Sequence, residues 1–315
     1  MKIGTYLQAS TRRLFVQSGR TAIDLFAAEE RAEFADMLVF IEGAGDAMRA
    51  AERLLHEPPA HAVRPLGDLE LAAPILPSTV LCAGSNYRAH NAEKAGSPLS
   101  GREPEFFLKT SDCVIGPHDP ILFDERLTRK LDCETELAIV IGREGRFIPA
   151  KTALDHVFGY TIANDVTARD RQVRQTEDGI VFYELGRGKA FDSSLPLGPV
   201  IASTSDIPDP QSLQLRTFIN GDARQSASTS DMIWTCAELI HFFSINFTLR
   251  PGMIILTGTP AGTAWSVDTE LGGKWRPTDG LVAASRYCRP GDRIVSEIES
   301  IGALESVVAA YSENP

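Results

Sequence analysis

Short alternations of apolar and polar residues open the chain. Residues 1–17 alternate in two runs on either side of Gln8-Ala9-Ser10-Thr11, which predicts two short strands joined by a turn. The period then lengthens. Met48, Ala51, Leu54 and Leu55 recur at helical spacing, which predicts a helix capped by Asp46 and ended before Pro58-Pro59, where backbone donors run out. His56 to Asp68 contains three prolines and reads as a linker. The division expected is a small α+β N-terminal domain with its linker over residues 1–70 and a larger domain over 71–315.

In the larger domain the pattern is one of short strands and turns. Thr79 to Ala83 and Leu137 to Ile141 are apolar runs of strand length. Leu213 to Ile219 alternates and is followed by Asn220-Gly221, a hairpin signal. Met253 to Leu256 and Arg293 to Ile301 each follow Pro-Gly, and Asp231 to Asn246 reads as the one clear helix. The fold class predicted is mixed, β-rich α+β.

Composition narrows the class of protein without choosing a chemistry. The 315 residues are 43% hydrophobic and 23% charged, as in an ordinary globular protein. The net charge is −11, and Arg169, Arg171 and Arg174 are interrupted by acids, so no nucleic-acid partner is expected. Five cysteines without C-x-x-C spacing fit free thiols in a reducing compartment. No apolar run reaches signal-peptide or membrane-span length, so no membrane partner is expected and the cytoplasm is the expected location.

The candidate chemistry lies in Leu131-Asp132-Cys133-Glu134-Thr135-Glu136 and the strand that follows. Strand side chains alternate, so Glu134 and Glu136 face the same way. Two such charges repel, and a partly buried pair calls for a cation. Exposed strands also carry paired glutamates, and E-x-E alone does not separate the two cases. Asp165, at the end of an apolar strand and ahead of a dense polar cluster, supplies a third carboxylate; Asp170 competes for that role or caps locally. Oxygen ligands alone select Mg²⁺ or Mn²⁺, with Ca²⁺ admissible, over zinc. His90 and Glu93 are one helical turn apart on a short helix capped by Ser85 or Asn86 and running to Lys94 and Gly96, a spacing at which a carboxylate orients an imidazole.

Taken in order, the run from Ala83 to Glu93, Glu134-x-Glu136, Asn164-Asp165-Val-Thr-Ala-Arg169-Asp-Arg-Gln172, Gly188-Lys189-Ala-Phe-Asp192 and Leu256-Thr-Gly258-Thr259-Pro260-Ala-Gly262 resemble the signature of the fumarylacetoacetate hydrolase superfamily. The likeness runs from about residue 70 to the C-terminus. It implies a β-roll or β-sandwich catalytic domain, a homodimer, and a metal held by Glu134, Glu136 and Asp165. It also implies catalytic roles for His90, Glu93 and Lys189, and substrate contacts from Arg169, Gln172 and Thr259. In that family the His–Glu dyad rides on a mobile lid, and the loop from Ser97 to Arg102 suits one.

The activity implied is Mg²⁺- or Mn²⁺-dependent hydrolysis of a carbon–carbon bond in a 2,4-dioxo acid, of acylpyruvate or fumarylpyruvate type, through a metal-bound enolate. Decarboxylation, isomerisation including keto–enol exchange, and dehydration or hydrolysis of 2-keto-3-deoxy sugar acids use the same site. A non-catalytic small-molecule-binding protein is a further alternative, and it predicts a broken set of site residues. The segment Thr263 to Arg289 departs from the compact family pattern; it either shapes the pocket or forms a dimer contact.

Overall fold

The protein is described by a computed structural model over residues 1–93, 102–278 and 280–312. A twelve-stranded sheet forms its spine. The main path runs Val63–Pro65, Thr21–Asp24, Thr11–Ser18, Lys2–Gln8, Leu195–Ser203, Val157–Asn164, Thr135–Ile141, Ile254–Leu256, Val80–Gly84 and Glu105–Lys109. A five-stranded sheet, ordered Asp222–Ser228, Gln214–Ile219, Arg293–Ile298, Gly302–Ala310 and Pro120–Phe123, packs against it. The architecture is the strand-rich α+β mixture predicted from the sequence.

The Thr135–Ile141 strand is buried along its whole length. Leu137, Ile139 and Ile141 enter a core shared with Leu215, Ile298 and Leu304 of the smaller sheet, while Ala138 and Val140 join Phe34, Met37, Phe40 and Ala47 on the other side. A strand covered on both faces reads as a continuous apolar run, which is why this one stands out in the sequence. The first strands of the chain belong to the same sheet, since Lys2 pairs with Ala202 and Ile3 with Ile201. The sheet therefore runs across residue 70.

Some local signals hold in the fold and others are overridden. The first two strands turn at Ala9 and Ser10, both with positive φ, and Asn220 and Gly221 do the same for the Gln214–Ile219 hairpin. The helix Ala44–His56 has no side-chain cap, however, and Asp46 lies inside its first turn, paired with Arg49. The helix expected over Asp231 to Asn246 is Cys236–Asn246, set by a Thr235/Glu238 capping box, with a short 3₁₀ turn at Thr229–Asp231 before it. Among the described residues, no helix is long and apolar enough to cross a membrane.

Ile139 is fully buried between the sheets. Ile139→Ala should lower unfolding free energy by about 2–5 kcal/mol, measured by urea denaturation; a loss well below that would show a loosely packed interior at this point.

Candidate active site

Two neighbouring strand ends bring the acids together. Glu134 and Glu136 lie at the start of the Thr135–Ile141 strand, and Asp165 follows Val157–Asn164, which pairs with it through Thr135↔Asn164 and Glu136↔Ala163. The Asp165 amide donates to Glu134 O at 2.8 Å, and the Asn164 side chain accepts from the Glu134 amide at 2.9 Å, so the crossover is pinned. All three carboxylates are buried, and each offers an oxygen within 4.8 Å of the others.

Cations surround them. Lys189 Nζ donates to Glu134 Oε2 at 2.6 Å and to Asp165 Oδ2 at 2.5 Å. Arg169 donates through Nη2 to Glu134, through Nε to Asp132 at 2.8 Å and through Nη1 to Gln172 Oε1 at 2.9 Å. Lys109 lies 3.0 Å from Asp165 Oδ1, but out of line for a hydrogen bond; it donates instead to the Val166 and Ser194 carbonyls and the Ser194 hydroxyl. Asp165 Oδ1 is thereby left without a hydrogen bond in a buried position.

The electrostatics divide the two glutamates. Burial would raise Glu134, but the Arg169 and Lys189 charges outweigh it and hold the carboxyl well below the usual range. Burial, reinforced by Asp165 and Glu134, pushes Glu136 well above that range, although the Gly258 amide donates to it at 2.6 Å. Burial works against the Lys189 charge too, yet Asp165 and Glu134 raise its pKa. An oxygen-only donor set with one buried carboxylate oxygen outside any hydrogen bond and one glutamate short of positive charge fits a hard divalent cation.

His90 Nδ1 lies 2.7 Å from Glu93 Oε1, and Glu93 Oε2 accepts from the Gly262 amide at 2.9 Å. A carboxylate only accepts, so the ring hydrogen is on Nδ1. Gly262 has φ +110°, and a methyl group there would come within 2.0 Å of Arg224 O, so the turn that fixes Glu93 requires glycine. The helix carrying His90 is Arg88–Ala92, with neither Ser85 nor Asn86 capping it. The Asn86 side chain bridges Trp234 and Thr257 instead. Lys94 and Gly96, like Ser97 to Gly101 of the expected lid loop, lie outside the described residues.

A partly open pocket, of about 620 Å³ including its mouth, collects these groups. His90, Glu134, Glu136, Asp165, Arg169, Gln172, Lys189 and Thr259 all line it, with Glu93 behind His90. Its apolar wall is Phe107, Tyr183, Leu185 and Trp265. Arg169 and Thr259 reach the pocket with their groups already engaged. Arg169 is bonded as above and stacked over Trp265, and the Thr259 hydroxyl donates to Thr135 O and accepts from Gln225. Asp170 accepts from Thr128 and the Arg129 amide, away from the acidic cluster. The 263–289 segment supplies Trp265 to the wall, and the Lys274 amide donates to Glu93 O.

Comparison with known proteins decides the family. The model described as fumarylacetoacetate (FAA) hydrolase C-terminal matches residues 79–309. The chain belongs to the fumarylacetoacetate hydrolase family. A curated relative, the oxaloacetate tautomerase YisK of Bacillus subtilis, is 40% identical over 245 residues, 77% of this chain and 74% of that protein. Among solved structures, the fumarylacetoacetate hydrolase of Exiguobacterium antarcticum superposes with TM-score 0.78 at 32% identity, covering 99% of this chain and 100% of that one. The maleylpyruvate hydrolase of Sphingobium sp. SYK-6, in complex with manganese(II) and pyruvate, superposes with TM-score 0.76 at 26% identity and the same coverage.

Two charged residues around the acidic cluster, Asp132 and Lys109, are not among those the sequence singles out. Asp132 accepts from Arg169 and from the Ala264 and Trp265 amides; its place two residues before Glu134, in an alternating acidic run, was a usable signal. Lys109 had none, because only the fold brings it to Asp165.

A carboxyl with a raised pKa favours the fold while protonated, so the metal-free protein loses stability through Glu136 as pH rises from the ordinary carboxylate range towards that higher value. Metal-free Glu136→Gln should therefore melt above metal-free wild type at neutral pH, and by less near pH ~5. It should also lose the stabilisation that Mg²⁺ or Mn²⁺ gives wild type, about 2.7 kcal/mol at a hundredfold excess over Kd. Equal metal-induced shifts in calorimetric melts of both proteins would contradict the assignment.

Proposed function

We propose that the protein interconverts the keto and enol forms of a small 2-oxo dicarboxylic acid of the oxaloacetate type. The observation that carries this reading is the sharing of one pocket by a carboxylate-oriented histidine and a buried acidic cluster suited to a hard dication. The name of the 40%-identical relative supports the substrate class.

When bound by Glu134, Glu136 and Asp165, Mg²⁺ or Mn²⁺ supplies a Lewis acid for the carboxylate and keto oxygens of the substrate. His90, whose Nδ1 hydrogen is held by Glu93, takes the C3 proton at Nε2. The C–H electron pair becomes the C2–C3 double bond, the carbonyl π pair moves onto oxygen, and the proton held by His90 is delivered to that oxygen, which restores the neutral imidazole. Glu93 stabilises the imidazolium formed. Gln172 has its carbonyl held by Arg169, so its amide hydrogens are available to the developing negative charge, and Lys189 adds a fixed positive one. The aromatic wall limits the substrate to a small acid and keeps bulk water back.

Hydrolysis of a carbon–carbon bond in a 2,4-dioxo acid is the second reading. It is favoured by the likeness to the maleylpyruvate hydrolase that holds manganese(II) and pyruvate. In it His90 takes its proton from water rather than carbon. A homodimer is part of the proposal on the family resemblance, and a cytoplasmic location is part of it on the five free cysteines.

With Mg²⁺ or Mn²⁺ the purified protein should speed the decay of enol-oxaloacetate absorbance without releasing pyruvate or CO₂. His90→Asn should slow that decay by about 10²–10⁴-fold and keep the metal-induced melting shift. Pyruvate release from an acylpyruvate, with enol-oxaloacetate decaying at its uncatalysed rate, would replace tautomerisation by hydrolysis. Full activity in His90→Asn would remove the dyad from either scheme.

A further inference from the structure

A second cavity, of about 590 Å³ including its mouth, shares a wall with the catalytic pocket. Asp132 and the Gly262–Ala264 turn line it, while Trp265, the next residue, faces the first pocket. Arg224 enters this cavity from the strand Asp222–Ser228. The register there passes from Thr217↔Gln225 to Phe218↔Ala223, so Arg224 is the extra residue of a β-bulge and faces no residue of the neighbouring strand. Bulges re-aim side chains beside functional sites.

Arg224 is only 8% exposed, and its Nε and Nη1 are shut off from solvent with no hydrogen-bond acceptor. Among the described residues, no carboxylate pairs with it. Thr263, 2% exposed and lining the same cavity, likewise leaves its buried hydroxyl without a partner. The acids nearby are already taken. Asp292 accepts from Arg286 at 2.6 and 2.7 Å, from Asn220 and from the Arg289 amide, and Asp132 is held by Arg169 and two turn amides. Asp222, also in the lining, is solvent-exposed. A buried guanidinium without an acceptor is costly, and its planar fork matches an oxyanion.

We propose that Arg224 and Thr263 form a second anion site, for a small carboxylate, separate from the metal pocket. Cys133, Ile219, Ala264 and Ala284 give the cavity apolar surface for a short carbon skeleton, which inorganic phosphate would not use. An anion at Thr263 bears on the turn whose amides hold Glu93 and Asp132, the groups that orient His90 and Arg169. The site is thus built to report carboxylate level to the catalytic pocket.

Calorimetric titration of the full chain, freed of metal on a chelating resin, tests this with malonate and inorganic phosphate as probes. Malonate should bind one per chain, equally to wild type and Glu136→Gln, and at least tenfold more weakly to Arg224→Gln. Thr263→Val should weaken it about threefold or more, which keeps the test alive should Arg224→Gln not fold. Malonate binding that needs the metal, is lost in Glu136→Gln and survives in Arg224→Gln would overturn the proposal, as would unchanged affinity in Thr263→Val. Phosphate binding through Arg224 without malonate binding would overturn the carboxylate assignment.

Discussion

Mutual repulsion among buried carboxylates is the constraint around which the rest of this molecule is arranged. Asp132, Glu134, Glu136 and Asp165 are all buried, and the buried cations set against them are Lys109, Arg169 and Lys189. Four negative charges against three positive ones leave the cluster short by one, and Glu136 carries the shortfall as a carboxyl that resists ionisation. A bound dication would reverse that sign and relieve the repulsion among the acids. The cost of holding these acids together is what would favour a dication at the site.

The fold meets this cost with rigidity. A strand covered on both faces cannot slip without moving Leu137, Ile139 and Ile141 out of one core and Ala138 and Val140 out of the other, so Glu134 and Glu136 are fixed in register. The adjoining strand fixes Asp165 in the same way. The turn from Gly258 to Trp265 then reaches each part of the pocket through backbone amides: Gly258 to Glu136, Gly262 to Glu93, and Ala264 and Trp265 to Asp132. One connecting segment therefore orients Glu136, the His90/Glu93 pair and Arg169 together. It also explains why the long 263–289 segment matters to chemistry it does not perform.

Much of this was legible in the sequence where the signal is local. Continuous apolar runs marked the doubly covered strands, Asn220-Gly221 marked its hairpin, and the acidic alternation after Leu131 marked the cluster. The signals that failed were ones that tertiary contacts override. Asn86 looked like a helix cap, but its amide is worth more bridging Trp234 and Thr257 across the domain, and Asp46 found Arg49 instead of the helix end. Lys109 was invisible because it meets Asp165 only through the sheet, across 56 residues of chain. Arg169 was read as a hand for the substrate, and its engagement with Asp132, Glu134 and Gln172 became apparent only with those groups in place.

Anomalous diffraction from crystals soaked in Mn²⁺ tests the central claim most directly, because it locates the ion without reference to activity. The account predicts one strong peak per chain, bonded to oxygens of Glu134, Glu136 and Asp165. A peak elsewhere with these three carboxylates ion-free, or none at saturating Mn²⁺, would contradict it.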